Sequence, residues 1–292
     1  MKFDTHAHKT TRLSRSVFYG QVLVILSAVL FALSGVFVKS IAADGWTVIV
    51  LRGVFVAIAF CLIMFFRGTW RTEVKAFGWA ALAAAFFATI SGVAFVLAFK
   101  YTTIANVALI YATAPFLAAL IAWAWYGAHP SKVVMTCGGI ALLGVTIIVR
   151  GSVGGGNLFG DGLALTMTAA MATYLCLYRR YPETPTTLPL LMASVIPLIV
   201  SMAPSIELSI TTQDIWKVAL FALSFCASSL LLVEGSKLIS SAEAALLSAL
   251  ETPLAPLFAL LILGSVPSLE TLIGGVIISL AVLASLMWSA DG

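Results

Sequence analysis

The chain has 292 residues, of which 61% are hydrophobic and only 10% charged. A soluble domain carries roughly 25% charged residues. With a mean hydropathy of +1.09, the composition excludes a soluble globular fold, because much of a soluble protein's surface must face water; the excess apolar surface faces lipid. The net charge of +4 requires no nucleic-acid partner, since it is accounted for by basic residues gathered on one membrane face.

A helix crossing a hydrocarbon core of about 30 Å needs roughly 20 apolar residues. After a polar tail, residues 1–16, the sequence predicts spans at 17–41, 46–66, 77–99, 104–126, 133–150, 161–178, 187–203, 215–235, 242–263 and 268–289. Pro189 and Pro197 interrupt the seventh. The expected fold is therefore all-α and polytopic, with ten transmembrane helices and no room for a soluble catalytic domain. The first apolar stretch exceeds a signal h-region, so it is expected to stay as a span rather than be cleaved.

Ten spans put both termini on one side. With that side cytoplasmic, inner segments hold Lys2, Lys9, Arg12, Arg15, Arg67, Arg71, Lys75, Lys132, Arg179, Arg180 and Lys237. Outer ends hold Lys39, Lys100, Arg150 and Lys217. The positive-inside rule then places both termini in the cytoplasm.

A Gly-rich stretch, residues 151–160, divides the chain. It lacks the Gly-Lys-Ser/Thr of a P-loop and follows no strand, so it reads as a linker. Two halves of five spans result, 17–150 and 161–289. A shift of 137 residues brings Lys100 onto Lys237, Thr103 onto Ser240, Leu109 onto Leu246, Gly127 onto Gly264, Pro130 onto Pro267 and Gly138 onto Gly275. Pro115 and Pro253 fall one residue out of register. Five is odd, so the second half enters the membrane from the opposite side. Such inverted repeats belong to transporters, which open a midplane site to each side in turn.

The runs Ala98-Phe-Lys-Tyr-Thr-Thr103, Ala114-Pro115, Trp125-Tyr-Gly-Ala-His-Pro-Ser131 and Gly138-Gly-Ile-Ala-Leu-Leu-Gly144 resemble an EamA-type repeat of the drug/metabolite transporter superfamily. Leu250-Glu-Thr-Pro253, Leu263-Gly-Ser-Val-Pro-Ser268 and Gly274-Gly275 resemble a second copy. The resemblance implies ten helices, cytoplasmic termini and export of amino acids or related metabolites across a bacterial inner membrane. The chain looks most like the YddG-like aromatic and broad-range amino-acid exporters. It departs from the family at Ala128 and Ser265, where glutamate usually follows the glycine that ends the fourth and ninth spans. No role of those glutamates is carried over to this chain.

Intramembrane polar groups are costly, so each is a candidate for substrate binding. Glu251 lies about 12 Å into the ninth span at 1.5 Å per residue. Pro253 and Pro256 follow it and remove helical N–H donors, freeing carbonyls near Glu251 and Ser248. A carboxylate there suits a substrate amine or a proton, or it is a structural partner for a basic group. Arg52 either meets a substrate carboxylate as a bidentate pair, or snorkels or sits in a fixed ion pair. Asn106 and Thr113 share a helix face ahead of Pro115, with Tyr111 on another flank; interhelical hydrogen bonding is the structural alternative. Tyr174 could cover a substrate side chain, whereas Tyr178, beside Arg179 and Arg180, reads as part of an aromatic belt, as do Trp123, Trp125 and Tyr126. The pairs Ser34-Gly35 and Ser91-Gly92 fit either close helix packing or a cavity wall. Pro115, Pro253 and Pro256 are the expected hinges. Glu234 and Lys237 are expected to pair, and Glu243 to begin the ninth helix.

An enzyme would need a nucleophile and base, or clustered metal ligands, within the bilayer. The three histidines, His6, His8 and His129, lie in the tail and a short loop. The four cysteines sit singly in different spans, without metal or redox spacing. No cofactor or metal is expected. The expected partners are a small-molecule substrate and the bilayer, with a proton as the candidate coupling ion. Among transporters the rival is multidrug-cation efflux, but the small pumps of that kind rely on an acidic residue in the first span, and 17–41 has none. A structural or receptor role is opposed only by the repeat.

Overall fold

A computed structural model describes residues 4–102, 104–150, 157–201, 210–264, 266 and 268–289. Lys2, Thr103, most of the Gly-rich stretch (151–156), Ser265 and Pro267 lie outside them. The chain is helical: α1 Asp4–Ser40, α2 Gly45–Arg67, α3 Trp70–Lys75, α4 Trp79–Tyr101, α5 Ile104–Tyr111, α6 Ala114–Tyr126, α7 Lys132–Arg150, α8 Leu158–Arg180, α9 Thr187–Ser201, α10 Thr212–Ser236, α11 Ser241–Ser248, α12 Glu251–Leu263 and α13 Leu269–Ser289.

Among the described residues, seven stretches are long and apolar enough to cross a membrane: Ser16–Val38, Gly45–Arg67, Trp79–Tyr101, Leu109–Tyr126, Thr212–Ser236, Ser241–Ile262 and Leu269–Trp288. Lys132–Ile148 and Thr187–Ile199 are apolar but shorter. The long helix α8 falls outside both groups, because Asp161, Arg179, Arg180 and four threonine or tyrosine residues before Leu175 and Tyr178 dilute its apolar content. The uniform row of ten spans expected from hydropathy is thus not what length and composition alone support.

Local chemistry fixes the helix ends. Asp44 caps α2, its carboxylate accepting from the Trp46 and Thr47 amides at 2.8 and 3.1 Å and from the Thr47 hydroxyl. Burial pushes its carboxyl up, but those hydrogen bonds and Lys100 outweigh it and hold the group below its usual range. Asn157 caps α8 through the Phe159 amide at 3.0 Å. Gly127 and Gly264, one shift of 137 apart, end α6 and α12 with φ of +68° each. Only glycine adopts that conformation cheaply, and it releases the chain from the helix.

The halves interleave rather than sit side by side. α1 runs along α10 and α4 along α8, while α2 packs on α9 and α7 on α13. The closest approaches recur in pairs. A Cβ on Gly20 of α1 would lie 2.8 Å from Leu238 and 3.0 Å from Ile239. One on Gly160 of α8 would lie 2.7 Å from Thr102 and 2.8 Å from Tyr101. Gly138 faces Pro115 and Gly275 faces Pro253. α7 and α13 cross at Gly144 and Gly274, where an added Cβ would strike the opposing carbonyl. Small residues let the backbones meet, the usual source of helix association in lipid.

Candidate functional site

The sequence reads as continuous fourth and ninth spans; the structure breaks both. Between α5 and α6, Thr113 donates its amide to Ile110 at 3.0 Å, and its hydroxyl bonds the same carbonyl at 2.6 Å. Between α11 and α12, Ala249, Leu250 and Thr252 donate to Leu246, Leu247 and Ala249, three residues back each time. Each helix tightens into a 3₁₀ turn just before its prolines, which cannot continue the α-helical bonding. The turns occupy 112–113 and 249–250, again 137 apart. Glu251 is consequently the first residue of α12 rather than a residue within a continuous helix.

Around these breaks lies a cavity walled by α1, α2, α4, α5, α8, α9, α10 and α12. Six of the residues singled out in sequence line it: Arg52, Ser91, Gly92, Tyr111, Tyr174 and Glu251. Asn106, Thr113 and Ser248 do not. Asn106 donates to Asp161 at 3.1 Å and to Thr102 at 3.4 Å. Ser248 is buried and bonds the Ala244 carbonyl at 2.8 Å, though it neighbours the Tyr111 hydroxyl. Tyr111 donates to the Met171 sulfur at 3.6 Å, and Glu251 faces both Tyr111 and Tyr174. Of the small pairs, Ser34 meets Ser224 at 2.8 Å in a helix contact, whereas Ser91 and Gly92 form cavity wall.

Arg52 is 4% exposed. Neither snorkelling nor an ion pair describes it: it is enclosed, and among the described residues it forms no salt bridge. Its Nη2 donates to the Gly92 carbonyl over a long 3.4 Å, while Nε and Nη1 are buried without a partner among the described residues. The guanidinium lies over the Phe225 ring, 4.3 Å from its centroid. Much of the remaining wall is aromatic or thioether: Phe31, Phe60, Phe95, Met167 and Met171. These went unnoticed in sequence because apolar residues in apolar helices carry no local signal of facing a cavity.

At the end where α10 meets α11, a second hollow is lined by Tyr126, His129, Arg179 and Glu243 among others. Between Tyr174 in the first and Arg179 in the second, α8 buries Leu175, Cys176, Leu177 and Tyr178. Tyr178 therefore corrects the aromatic-belt reading: it is 1% exposed and donates to the Pro185 carbonyl at 3.4 Å. Trp123 and Trp125 are exposed, as a belt requires. The Cys176 sulfur lies within hydrogen-bond reach of the Ser241 hydroxyl at 3.2 Å and the Ala118 carbonyl at 3.3 Å, tying α8 to α11 and α6. Lys237 pairs with Glu234 at 3.2 Å, and both reach Thr186. Among the described residues no three His, Cys, Asp or Glu side chains are grouped to hold a metal ion.

Apolar helices long enough to cross a bilayer, arranged around a cavity to which both halves of the chain contribute, define a membrane transporter of small molecules. The sequence profile of the EamA-like transporter family matches residues 18–150 and again 158–287. The chain belongs to that family, whose members are transporters and not enzymes. Twenty-nine chains of solved structures match the fold. One crystal structure superposes with a TM-score of 0.77 over 94% of this chain and 98% of its own, at 14% identity. A search of curated protein sequences finds no match.

Proposed function

We propose that this protein exports amino acids, aromatic or broad-range neutral ones, across a bacterial inner membrane by alternating access. The observation that carries the reading is the chemistry of the cavity. A cation with unpartnered donors, Arg52, and a carboxylate, Glu251, stand on walls that are otherwise largely aromatic and aliphatic. An α-amino acid presents a carboxylate, an ammonium and a variable side chain, which those three features complement. A cavity for drug cations has no use for an unpaired arginine, so multidrug efflux is the weaker reading. A YddG-like exporter is the particular relative this favours.

In the proposed architecture ten helices form two inverted five-helix repeats, with both termini cytoplasmic. Support comes from the exchanged packing of α1 on α10 and α8 on α4, and from breaks 137 residues apart. Residues Leu175–Tyr178, with α11, seal the inner end in the state described. Opening it would release α11 from α6 and α8, with Pro115, Pro253 and Pro256 as the hinges beside the breaks. Ser91, Tyr111 and Tyr174 contact the substrate; Asn106, Thr113 and Ser248 shape the helix breaks that place it. Proton exchange and facilitated diffusion both fit a single cavity carboxylate.

The test is flux of a panel of radiolabelled amino acids into liposomes containing the purified protein, with and without a pH gradient. Saturable flux of several amino acids is the expected result, and its response to the gradient decides on proton coupling. Absence of flux for every amino acid, from protein with an intact melting transition, would sink the substrate assignment.

A further inference from the structure

We infer that Phe225 is a positioning residue that holds Arg52 as the carboxylate-recognition group of the cavity, and that Gly92 provides the space it needs. The inference rests on the cavity being the substrate site, as proposed above. A buried guanidinium ordinarily comes with a carboxylate, because an unpaired charge in a low-dielectric interior is costly. Arg52 has none. What holds it is aromatic: its Cζ lies 4.3 Å from the Phe225 centroid and 5.5 Å from that of Phe221.

The difference matters for binding. A carboxylate partner would occupy the planar N–H edge of the guanidinium. A ring attracts the cation through its π-face and leaves that edge free. Among the described residues Nε and Nη1 have no partner, and Nη2 commits one of its two hydrogens, over a long 3.4 Å, to Gly92, so an edge made by the other Nη2 hydrogen with Nε or with Nη1 is open. An acceptor with two oxygens, such as a substrate carboxylate, satisfies such an edge bidentately. Phe225 is itself braced edge-on by Phe31 at 5.5 Å and Phe221 at 6.0 Å, so it is a fixed platform. On the other side, a Cβ at Gly92 would lie 3.3 Å from Nη2. At the shift of 137, Phe225 and Gly92 correspond to Ala88 and Ser229, which also line the cavity. Only one half of the repeat therefore carries the platform.

The experiment measures binding of three probes to the purified full-length protein: L-phenylalanine, its amide, and 3-phenylpropionate. The amide lacks the carboxylate and 3-phenylpropionate lacks the amine. In Phe225→Leu, the Kd of both carboxylate-bearing probes should rise about tenfold while that of the amide holds, and Phe225→Tyr should restore the wild-type pattern. Gly92→Ala, which crowds Nη2, should give the same selective loss and serves if Phe225→Leu fails to fold. A loss shared equally by all three probes, or no loss in either variant, overturns the inference. Selective loss for 3-phenylpropionate in a protein that ignores L-phenylalanine upholds it and overturns the amino-acid assignment instead. No binding of any probe to protein with its normal melting transition overturns both.

Discussion

The two broken helices, α5–α6 and α11–α12, have matching geometry and different surroundings. Both turn at equivalent residues, and both are pinned near their start by an acid–amide hydrogen bond to the opposite half. In the first, Asn106 donates to Asp161 of α8 at 3.1 Å; in the second, Gln21 of α1 donates to Glu243 at 2.8 Å. Acid and amide have changed places. Every residue of α11 is buried, against α1, α6, α7, α8 and α10. Of the side chains described on α5, only Val107 is buried. After the break, α12 opens with Glu251 where α6 opens with Ala114. Duplication supplies the frame, while divergence of a few residues decides which broken helix is packed on every side and which break carries a carboxyl group.

Making the two breaks alike should have the largest effect. Glu251→Ala converts the second break to the composition of the first and removes the only carboxyl group among the described residues of the cavity wall. Amino-acid flux in liposomes is expected to fall roughly 10- to 100-fold, the value of a hydrogen bond to a charged group. Flux through Glu251→Gln equal to wild type would remove the carboxylate's charge from the mechanism.

The next effect is on stability and contrasts the paired close approaches. Gly160→Val meets three atoms at 2.7–2.8 Å, Thr102 Cβ and backbone atoms of Thr102 and Tyr101, whereas Gly20→Val meets Leu238 Cβ at 2.8 Å and then Ile239 Cγ2 and the Gly235 carbonyl at 3.0 and 3.2 Å. Overpacking costs typically 1–3 kcal/mol. Gly160→Val should therefore melt well below Gly20→Val when the two are compared in one detergent.

A smaller difference is expected at the acid–amide pairs. Gln21→Leu leaves the buried Glu243 carboxylate without its side-chain donor. Asn106→Leu leaves Asp161 the Thr102 hydroxyl at 2.7 Å. Losing a partner in a buried site costs about 1–3 kcal/mol, so Gln21→Leu should lower the melting temperature more. Equal drops would mean that the two ends are energetically alike.

The smallest effect needs no substitution. Backbone amides of α5 should exchange with deuterium faster than those of α11, because opening a half-buried helix exposes less packed surface. Slower exchange in α5 would reverse the assignment of the sealed end.

These contrasts also mark how far the sequence could be read. The caps at Asp44 and the left-handed glycines Gly127 and Gly264 act within a few residues, so the ends of α2, α6 and α12 fall close to where residue pattern puts them. The 137-residue shift was likewise legible, since duplicated positions keep their spacing whatever they touch. Pro115, Pro253 and Pro256 announced disturbed helices. They did not announce complete breaks, because a proline kinks or ends a helix according to what packs beside it.

Taken alone, the sequence determined that this chain is helical, membrane-embedded and internally repeated, because hydropathy, turn chemistry and repeat spacing are properties of neighbours along the chain. Only the tertiary structure decided that Arg52, Ser91, Tyr111, Tyr174 and Glu251 face one cavity, that Asn106 faces Asp161 instead, and that Tyr178 is buried. Those outcomes depend on how each helix is rotated about its axis. That rotation is set by contacts such as Gln21 with Glu243 or Arg52 with Phe225, between residues far apart in sequence.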